Sequence, residues 1–258
     1  MAAPLLSVRR ISKSFGGVAA VAGVSFDVTA GEIRAIIGPN GAGKTTIFNL
    51  VTGLMPLGAG DIRFNDRLLD RLSTSERARL GIARTFQNLQ IFANMTVLEN
   101  VMVGRHRRSR AGLLAAAFRT PGSRREEARI GEQALACLEL VGLEARRDDP
   151  AGSLPFGQQR LLEIARCLAT EPVLLLLDEP AAGLNLAETE ALGELILALR
   201  RRGITILLVE HLMDLVMGIS DSVLVLNYGQ VLAHGTPAQV QNDPAVVEAY
   251  LGAEVGDA

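Results

Sequence analysis

Lysine is almost missing from this chain. Of 26 basic residues only Lys13 and Lys44 are lysines, and every other positive charge is an arginine. A lysine kept against that bias is informative, and one of the two falls in a glycine-rich motif. Cysteine is as scarce: Cys137 and Cys167 each sit in an apolar helical pattern, which speaks against a disulfide framework or a metal cluster and for two buried, reduced thiols in the cytosol. No uncharged apolar run approaches the roughly 18 residues of a membrane span, and the first ten residues lack the apolar stretch and cleavage site of a secretory signal. Any membrane role is therefore expected to be borrowed from a partner. A net charge of −2 gives no whole-chain attraction to nucleic acid.

What is present is the makeup of one packed α/β domain. The 258 residues are 48% hydrophobic and 21% charged, enough for a large core and unlike a disordered chain. Short strands are expected at 8–10 and 24–28, then a buried strand at 33–37 running into a glycine-rich stretch and a helix at 45–53. A further strand is expected at 61–64, and Ser73 with Glu76 forms a capping-box pattern. From about 92 to 152 the β-branched runs thin out and a helical segment is expected, with apolar residues at 130, 134, 137, 138 and 141. Alternation then returns, with a helix carrying Leu161, Ile164, Ala165 and Leu168 and a strand at 173–177. A helix with Leu192, Leu195, Ile196 and Leu199, a strand at 204–209 and a hairpin around Tyr228-Gly229 complete the pattern. Strands separated by helices imply a largely parallel sheet covered on both faces.

Gly38-Pro39-Asn40-Gly41-Ala42-Gly43-Lys44-Thr45 matches G-x-x-x-x-G-K-[ST] at every fixed position, between a strand and a helix. Glycines let backbone N–H groups curl around phosphates, the helix start adds a positive dipole end, Lys44 adds a point charge, and the Thr45 hydroxyl suits Mg²⁺; Thr46 offers another hydroxyl. Asp178-Glu179 closes the apolar run 174–177, where α/β sheets bind ligands. Asp178 is placed to hold Mg²⁺ through water and Glu179 to polarise an attacking water.

These residues, together with Leu154-Pro155-Phe156-Gly157-Gln158-Gln159-Arg160 just before a helix, resemble the ABC ATPase family in its own order along nearly the whole chain. The resemblance implies an α/β P-loop ABC ATPase with a mixed, largely parallel core sheet, an N-terminal antiparallel β subdomain and a helical subdomain. The catalytic parts would span about 1–91 and 158–252, the helical part about 92–157 and a tail 253–258. It further implies that Leu154, Gly157 and Gln158 close over ATP held by a second ATPase. Phe15 would stack on adenine, Gln87 would sense Mg²⁺ and the membrane partner, and His211 would contact the γ-phosphate. Two departures stand out: Pro155 replaces the usual serine, with Phe156 after it, and Asn185 stands where many relatives have Asp. Proline offers neither hydroxyl nor N–H, so a contact across the dimer would come from Gly157 or the helix start.

The segments 153–166, 178–185 and 209–220 and the ending Ala249-Tyr250-Leu251-Gly252 resemble the larger ATPase of branched-chain amino-acid importers. That implies a complex with two permeases, a second ATPase or another copy, and an external solute-binding protein, at the cytoplasmic face of the membrane. Urea or amide importers, the lipopolysaccharide exporter and soluble ABC ATPases are the alternatives; a P-loop kinase fits Gln87 and His211 poorly. Arg105, Arg107, Arg108, Arg110, Arg119, Arg124, Arg125 and Arg129 crowd one stretch, readable as a lipid-facing patch or as a solvated helical face. Leu89, Ile91, Phe92, Met95 and Val97 are expected to divide between core and a groove for a permease helix.

Overall fold

The computed structural model describes residues 3–106 and 121–254. Along the chain, β1 (Leu6–Phe15) and β2 (Val18–Val28) come first, and β3 (Ile33–Ile37) leads into α1 (Lys44–Thr52). β4 (Ala59–Phe64), β5 (Arg67–Leu68), α2 (Thr74–Arg79) and β6 (Ile82–Arg84) come next, then α3 (Val97–His106), α4 (Pro121–Leu140) and α5 (Phe156–Leu168). The remainder alternates: β7 (Leu174–Asp178), α6 (Leu186–Arg201), β8 (Thr205–Val209), α7 (Met213–Ile219), β9 (Ser222–Asn227), β10 (Gln230–Gly235), α8 (Pro237–Gln241) and α9 (Pro244–Glu254). By packing, the chain falls into two compact units, one of residues 1–84, 173–181 and 189–258, the other of 85–172 and 182–188.

The larger unit holds two sheets. An antiparallel sheet runs β2-β1-β4-β5, and a six-stranded sheet runs β10-β9-β3-β8-β7-β6, parallel except for the β9–β10 hairpin. A parallel strand covered on both faces reads as a near-continuous apolar run, and every residue of β7 and β8 is buried, including the polar Asp178 and Thr205 at strand ends. One face of β3 and β9 sends Ile36, Leu224 and Leu226 into a core shared with Ile47, Phe48, Leu50 and Val51 of α1 and with Leu6, Val8, Ile62 and Phe64 of the antiparallel sheet. The other sends Ala35, Ile37, Val223 and Val225 against Val216, Val240 and Val246 of α7, α8 and α9. β3, β8 and β7 lie side by side in parallel register, Ile36 opposite Val209 and Val209 opposite Asp178. The chain therefore leaves all three strands at one edge, at Gly38, Glu210 and Glu179.

α1 ends on a buried cation. Ser73 and Glu76 form the expected capping box and start α2, which places Arg77 beneath α1. Its Nη1 donates to the carbonyls of Leu50 at 2.6 Å and Val51 at 2.9 Å, and its Nε to that of Leu72 at 3.0 Å. The last carbonyls of a helix have no partner within it, so a guanidinium here satisfies them and complements the negative end of the dipole.

In the smaller unit α3 packs on α4 and on α5, and Val97, Val101, Ala134, Leu138 and Leu162 are buried. The sequence reading divides the chain near 91/92 and 157/158; packing divides it at 84/85 and 172/173, since α5 contacts α3 and α4. A second capping box, Thr96 with Glu99, opens α3, and buried Asn100 bonds both main-chain groups of Phe92 and the carbonyl of Thr96. The apolar run divides here: Val97 is buried, while Phe92 and Met95 are exposed. Arg105 departs from the basic-surface reading. It is buried, donating to Gln133 and the carbonyl of Ala169 and pairing with Glu171. Arg107, Arg108, Arg110 and Arg119 lie outside the described residues. Cys167 is buried and its thiol is pushed up to about 12 by desolvation, Cys137 is half-buried, and neither forms a disulfide. α9 runs to Glu254, covering the first residues of the expected tail.

Replacing Arg77 with Ala takes the guanidinium donors from three carbonyls, of which Leu50 O keeps the Gly53 N–H at 3.3 Å, and unfolding free energy is expected to fall by about 3 kcal/mol, with Arg77→Lys recovering part of it. Urea denaturation measures this; a loss under about 1 kcal/mol would remove the capping role.

Candidate functional site

The loop between β3 and α1 has its curve set by neighbours on two sides. Gly38 has φ 149°, and a Cβ there would stand 2.2 Å from the carbonyl oxygen of Leu226. Gly43, which caps α1 at φ 100°, would bring a Cβ to 2.3 Å from the carbonyl oxygen of Ala20. The β9–β10 turn closes the arrangement: Gly229 N–H donates to Ala42 O at 3.2 Å, and Gly229 O accepts from Ala22 N–H at 2.8 Å. Pro39 is half-buried and Ala42 buried, whereas Asn40, Gly41 and Thr45 are exposed and Thr46 half-buried. Lys44 is buried, its Nζ donating to the carbonyls of Gly38 at 2.7 Å and Pro39 at 2.9 Å. Burial lowers its pKa, and the carboxylates of Glu179 and Asp178 pull it back up. A loop that admits no Cβ at its first and last glycines, opens a helix and folds an ammonium into itself fits a polyphosphate.

Asp178 ends β7 almost fully buried. Its Oδ2 accepts from Arg84 Nη2 at 2.7 Å, while Arg84 Nη1 reaches Asn49 Oδ1 of α1 at 2.6 Å and the guanidinium lies over the Phe48 ring at 5.4 Å. Burial raises the Asp178 pKa; the bond and charge of Arg84 oppose that, Glu179 adds to it and Lys44 lowers it. One residue on, Glu179 takes the left-handed conformation at φ 48°, its N–H donating to Val209 O at 2.8 Å. That reversal turns the side chain away from Asp178's direction, and Glu179 Oε1 meets His211 Nε2 at 3.0 Å. Which partner carries the proton depends on the imidazole tautomer.

A third carboxylate sets that meeting. Glu210, only 2% exposed, accepts from Ala181 N–H at 2.7 Å through Oε1 and from His211 N–H at 2.9 Å and Leu212 N–H at 3.4 Å through Oε2. It laces the loop after β7 to the loop after β8. Phe15, at the end of β1 in the same unit, is 46% exposed with Lys13 Nζ 5.7 Å from its ring centre. The larger unit thus gathers the phosphate loop, Lys44, Asp178, Glu179 and His211. The sequence reading misses Arg84 and Glu210, whose only signals are a charge ending a short apolar segment and a carboxylate beside His211.

Gln87, Leu154, Gly157 and Gln158 belong to the smaller unit. Gln87 lies exposed in an irregular loop, Leu154 is buried, and Pro155 is the N-cap of α5 with no capping side chain. Phe156, Gly157 and Gln158 form the first turn, whose N–H groups no carbonyl of the helix can reach. Phe156 is exposed, with the Arg160 guanidinium 5.3 Å from its ring centre. Asn185 has a local role as the cap of α6: its Oδ1 accepts from Glu188 N–H and its N–H donates to Glu188 Oε2, both at 3.0 Å.

Glu210→Ala removes the acceptor of three N–H groups, that of Ala181 buried and those of His211 and Leu212 half-buried. Stability is expected to drop by about 2 kcal/mol and ATP turnover by about tenfold, with ATP affinity held within about threefold. Equal losses in turnover and affinity would reduce Glu210 to general support of the fold.

Known proteins share this architecture from end to end. An ABC transporter family model matches residues 21–182, and a branched-chain amino acid ATP-binding cassette transporter model matches residues 230–256. The chain is 47% identical over 253 residues to the high-affinity branched-chain amino acid transport ATP-binding protein LivG of Escherichia coli (strain K12), covering 98% of this chain and 99% of that one. Identity to BraF of Pseudomonas aeruginosa, whose name is otherwise the same, is also 47% over 253 residues, with the same coverage. Among solved structures, the ADP conformation of MJ1267, an ATP-binding cassette of an ABC transporter, has a TM-score of 0.85 at 36% identity and covers 97% of this chain and 100% of that one. A nucleotide-free ATP-binding cassette from an ABC transporter gives a TM-score of 0.84 at 35% identity, covering 96% and 99%. Since the likeness extends over both units and the C-terminal helices as well as the phosphate loop, this chain belongs to the ABC transporter family of ATP-binding cassettes.

Proposed function

We propose that this chain is the ATP-hydrolysing subunit of an importer of branched-chain and other hydrophobic amino acids. The observation that carries the catalytic reading is the 3.0 Å contact of Glu179 with His211 at the same sheet edge as the Lys44 loop. The substrate reading is supported by relatives named as branched-chain amino acid transport proteins, at 47% identity, and by the match of residues 230–256.

Residues 38–46 hold the phosphates by their main chain, Lys44 neutralises charge from within the loop, and Phe15 offers a face to adenine. In the larger unit Thr45 and Asp178 would present hard oxygens of the kind Mg²⁺ takes, the resemblance gives Gln87 of the smaller unit the sensing of that ion, and among the described residues no group of three His, Cys, Asp or Glu forms an all-protein cage. That fits an ion sharing its ligands with phosphate. When bound, Mg²⁺ supplies Lewis-acid stabilisation of phosphate charge. Glu179 accepts a hydrogen bond from the attacking water and polarises it, while His211 holds that carboxylate and contacts the γ-phosphate. Leu154, Gly157 and Gln158 close over nucleotide on a second ATPase, with the N–H groups of α5 in place of the missing serine.

The partners are two permeases, a paralogous ATPase or a second copy, and indirectly a solute-binding protein, with this chain on the cytoplasmic face of the membrane. Among the described residues no helix is long and apolar enough to cross it, and exposed Phe92 and Met95 suit an apolar permease helix.

Glu179→Gln is expected to bind ATP within about threefold of the parent and to lose about 100-fold or more of turnover. Undiminished hydrolysis would take the role of base from Glu179. Tagging the chain in its own cells and solubilising the membranes gently should recover permeases and a second ATPase, whereas a chain found only with ribosomes or nucleic acid would end the transport reading.

A further inference from the structure

Two buried charges on α5 have no part in the phosphate chemistry. Arg160 is 6% exposed and Glu163 1% exposed, and they face each other one turn apart, Nη1 to Oε2 at 3.8 Å. A pair buried this deeply recovers its desolvation only through further hydrogen bonds. Those bonds go to one place. Arg160 Nη1 donates to Phe86 O at 3.0 Å and Nη2 to Gln87 O at 2.7 Å, while Phe86 N–H donates to Glu163 Oε1 at 3.1 Å. A second main-chain bond to Glu163 comes from Gln90. Desolvation raises the Glu163 pKa, and these N–H groups with the Arg166 and Arg160 charges oppose it.

Both charges therefore bond the main chain of 86–90 on either side of Gln87, in a segment without regular structure to satisfy it. The grip is on backbone, so it fixes the loop's path and leaves the Gln87 side chain exposed. It issues from the second and third turns of the helix that begins with Phe156-Gly157-Gln158.

We propose that Arg160 and Glu163 are positioning residues that bind the Gln87 loop to α5, so that Gln87 and the first turn of that helix move together within the smaller unit. Arginine is suited to this because two nitrogens of one rigid, planar fork each take a carbonyl, Phe86 O and Gln87 O, and hold them at a fixed separation that a single ammonium nitrogen does not set. The inference rests on the role given to Gln87 under Proposed function, and its consequence is that a shift of α5 is transmitted to Gln87 without passing through the phosphate loop.

The test compares the full chain with Arg160→Lys, Glu163→Gln and Gln87→Ala, and with each clamp substitution in the Gln87→Ala background. The readouts are turnover against Mg²⁺ concentration at saturating ATP, ATP affinity and melting temperature. Either clamp substitution is expected to raise the half-saturating Mg²⁺ concentration and lower turnover, together by about tenfold. ATP affinity should stay within about twofold, and the same substitution in the Gln87→Ala background should add less than about twofold. Full-sized effects in that background, or a parallel loss of ATP affinity, would overturn the clamp while leaving Gln87 its role. If Gln87→Ala itself changes neither turnover nor Mg²⁺ dependence, both the role and the clamp fall. Should Arg160→Lys not fold, the nearly isosteric Glu163→Gln carries the same comparison.

Discussion

The pairing of β8 between β3 and β7 is the constraint on which the larger unit's chemistry depends. Parallel register puts the ends of three strands in a row, and the chain that leaves each end has no ladder left to satisfy it. Each exit is shaped instead by a local device: a loop with no room for a Cβ at Gly38 and Gly43 after β3, a left-handed residue after β7, a buried carboxylate after β8. Slipping β8 by one residue would exchange the side chains of its two buried faces and separate Glu179 from His211.

Arginine recurs at four places where backbone carbonyls or a buried carboxylate must be answered. Arg77 caps α1, Arg84 joins Asp178 to Asn49, Arg105 reaches the carbonyl of Ala169, and Arg160 holds Phe86 and Gln87. Each uses at least two donors of a planar fork, which a single ammonium does not provide. Lys44 is the converse: one mobile point charge is folded against two carbonyls of its own loop, able to turn toward incoming phosphate.

Much of this architecture is legible in the chain. The phosphate motif, the strand at 33–37 and the Ser73 capping box depend on local chemistry, and their residues stand where the spacing puts them. The strands expected at 8–10 and 24–28 extend to Leu6–Phe15 and Val18–Val28, because an antiparallel sheet tolerates polar residues such as Ser12, Lys13 and Ser14 on one face. β6 has three residues and no period to detect. Arg160 is visible as a letter of the signature segment, yet the carbonyls it holds, of Phe86 and Gln87, lie more than seventy positions away. Arg105 stands among neighbours of like charge and is nonetheless buried, because sequence proximity says nothing of which guanidinium meets Gln133 and Glu171. Function at a distance in sequence is set by packing, and packing leaves little trace in a local pattern.

The scarcity of lysine has a last consequence. Lys44 is buried, and Lys13 is half-buried with its Nζ donating to Pro56 O at 3.0 Å. Lys44 is closed in and Lys13 holds its amine in an exposed hydrogen bond, so cross-linkers, acylating reagents and lysine-modifying enzymes find at most one lysine side chain to grasp. The outer coat is instead guanidinium and carboxylate, the former less strongly hydrated than ammonium and better at gripping flat or forked partners. Such a skin is hard to tag and well suited to adhere.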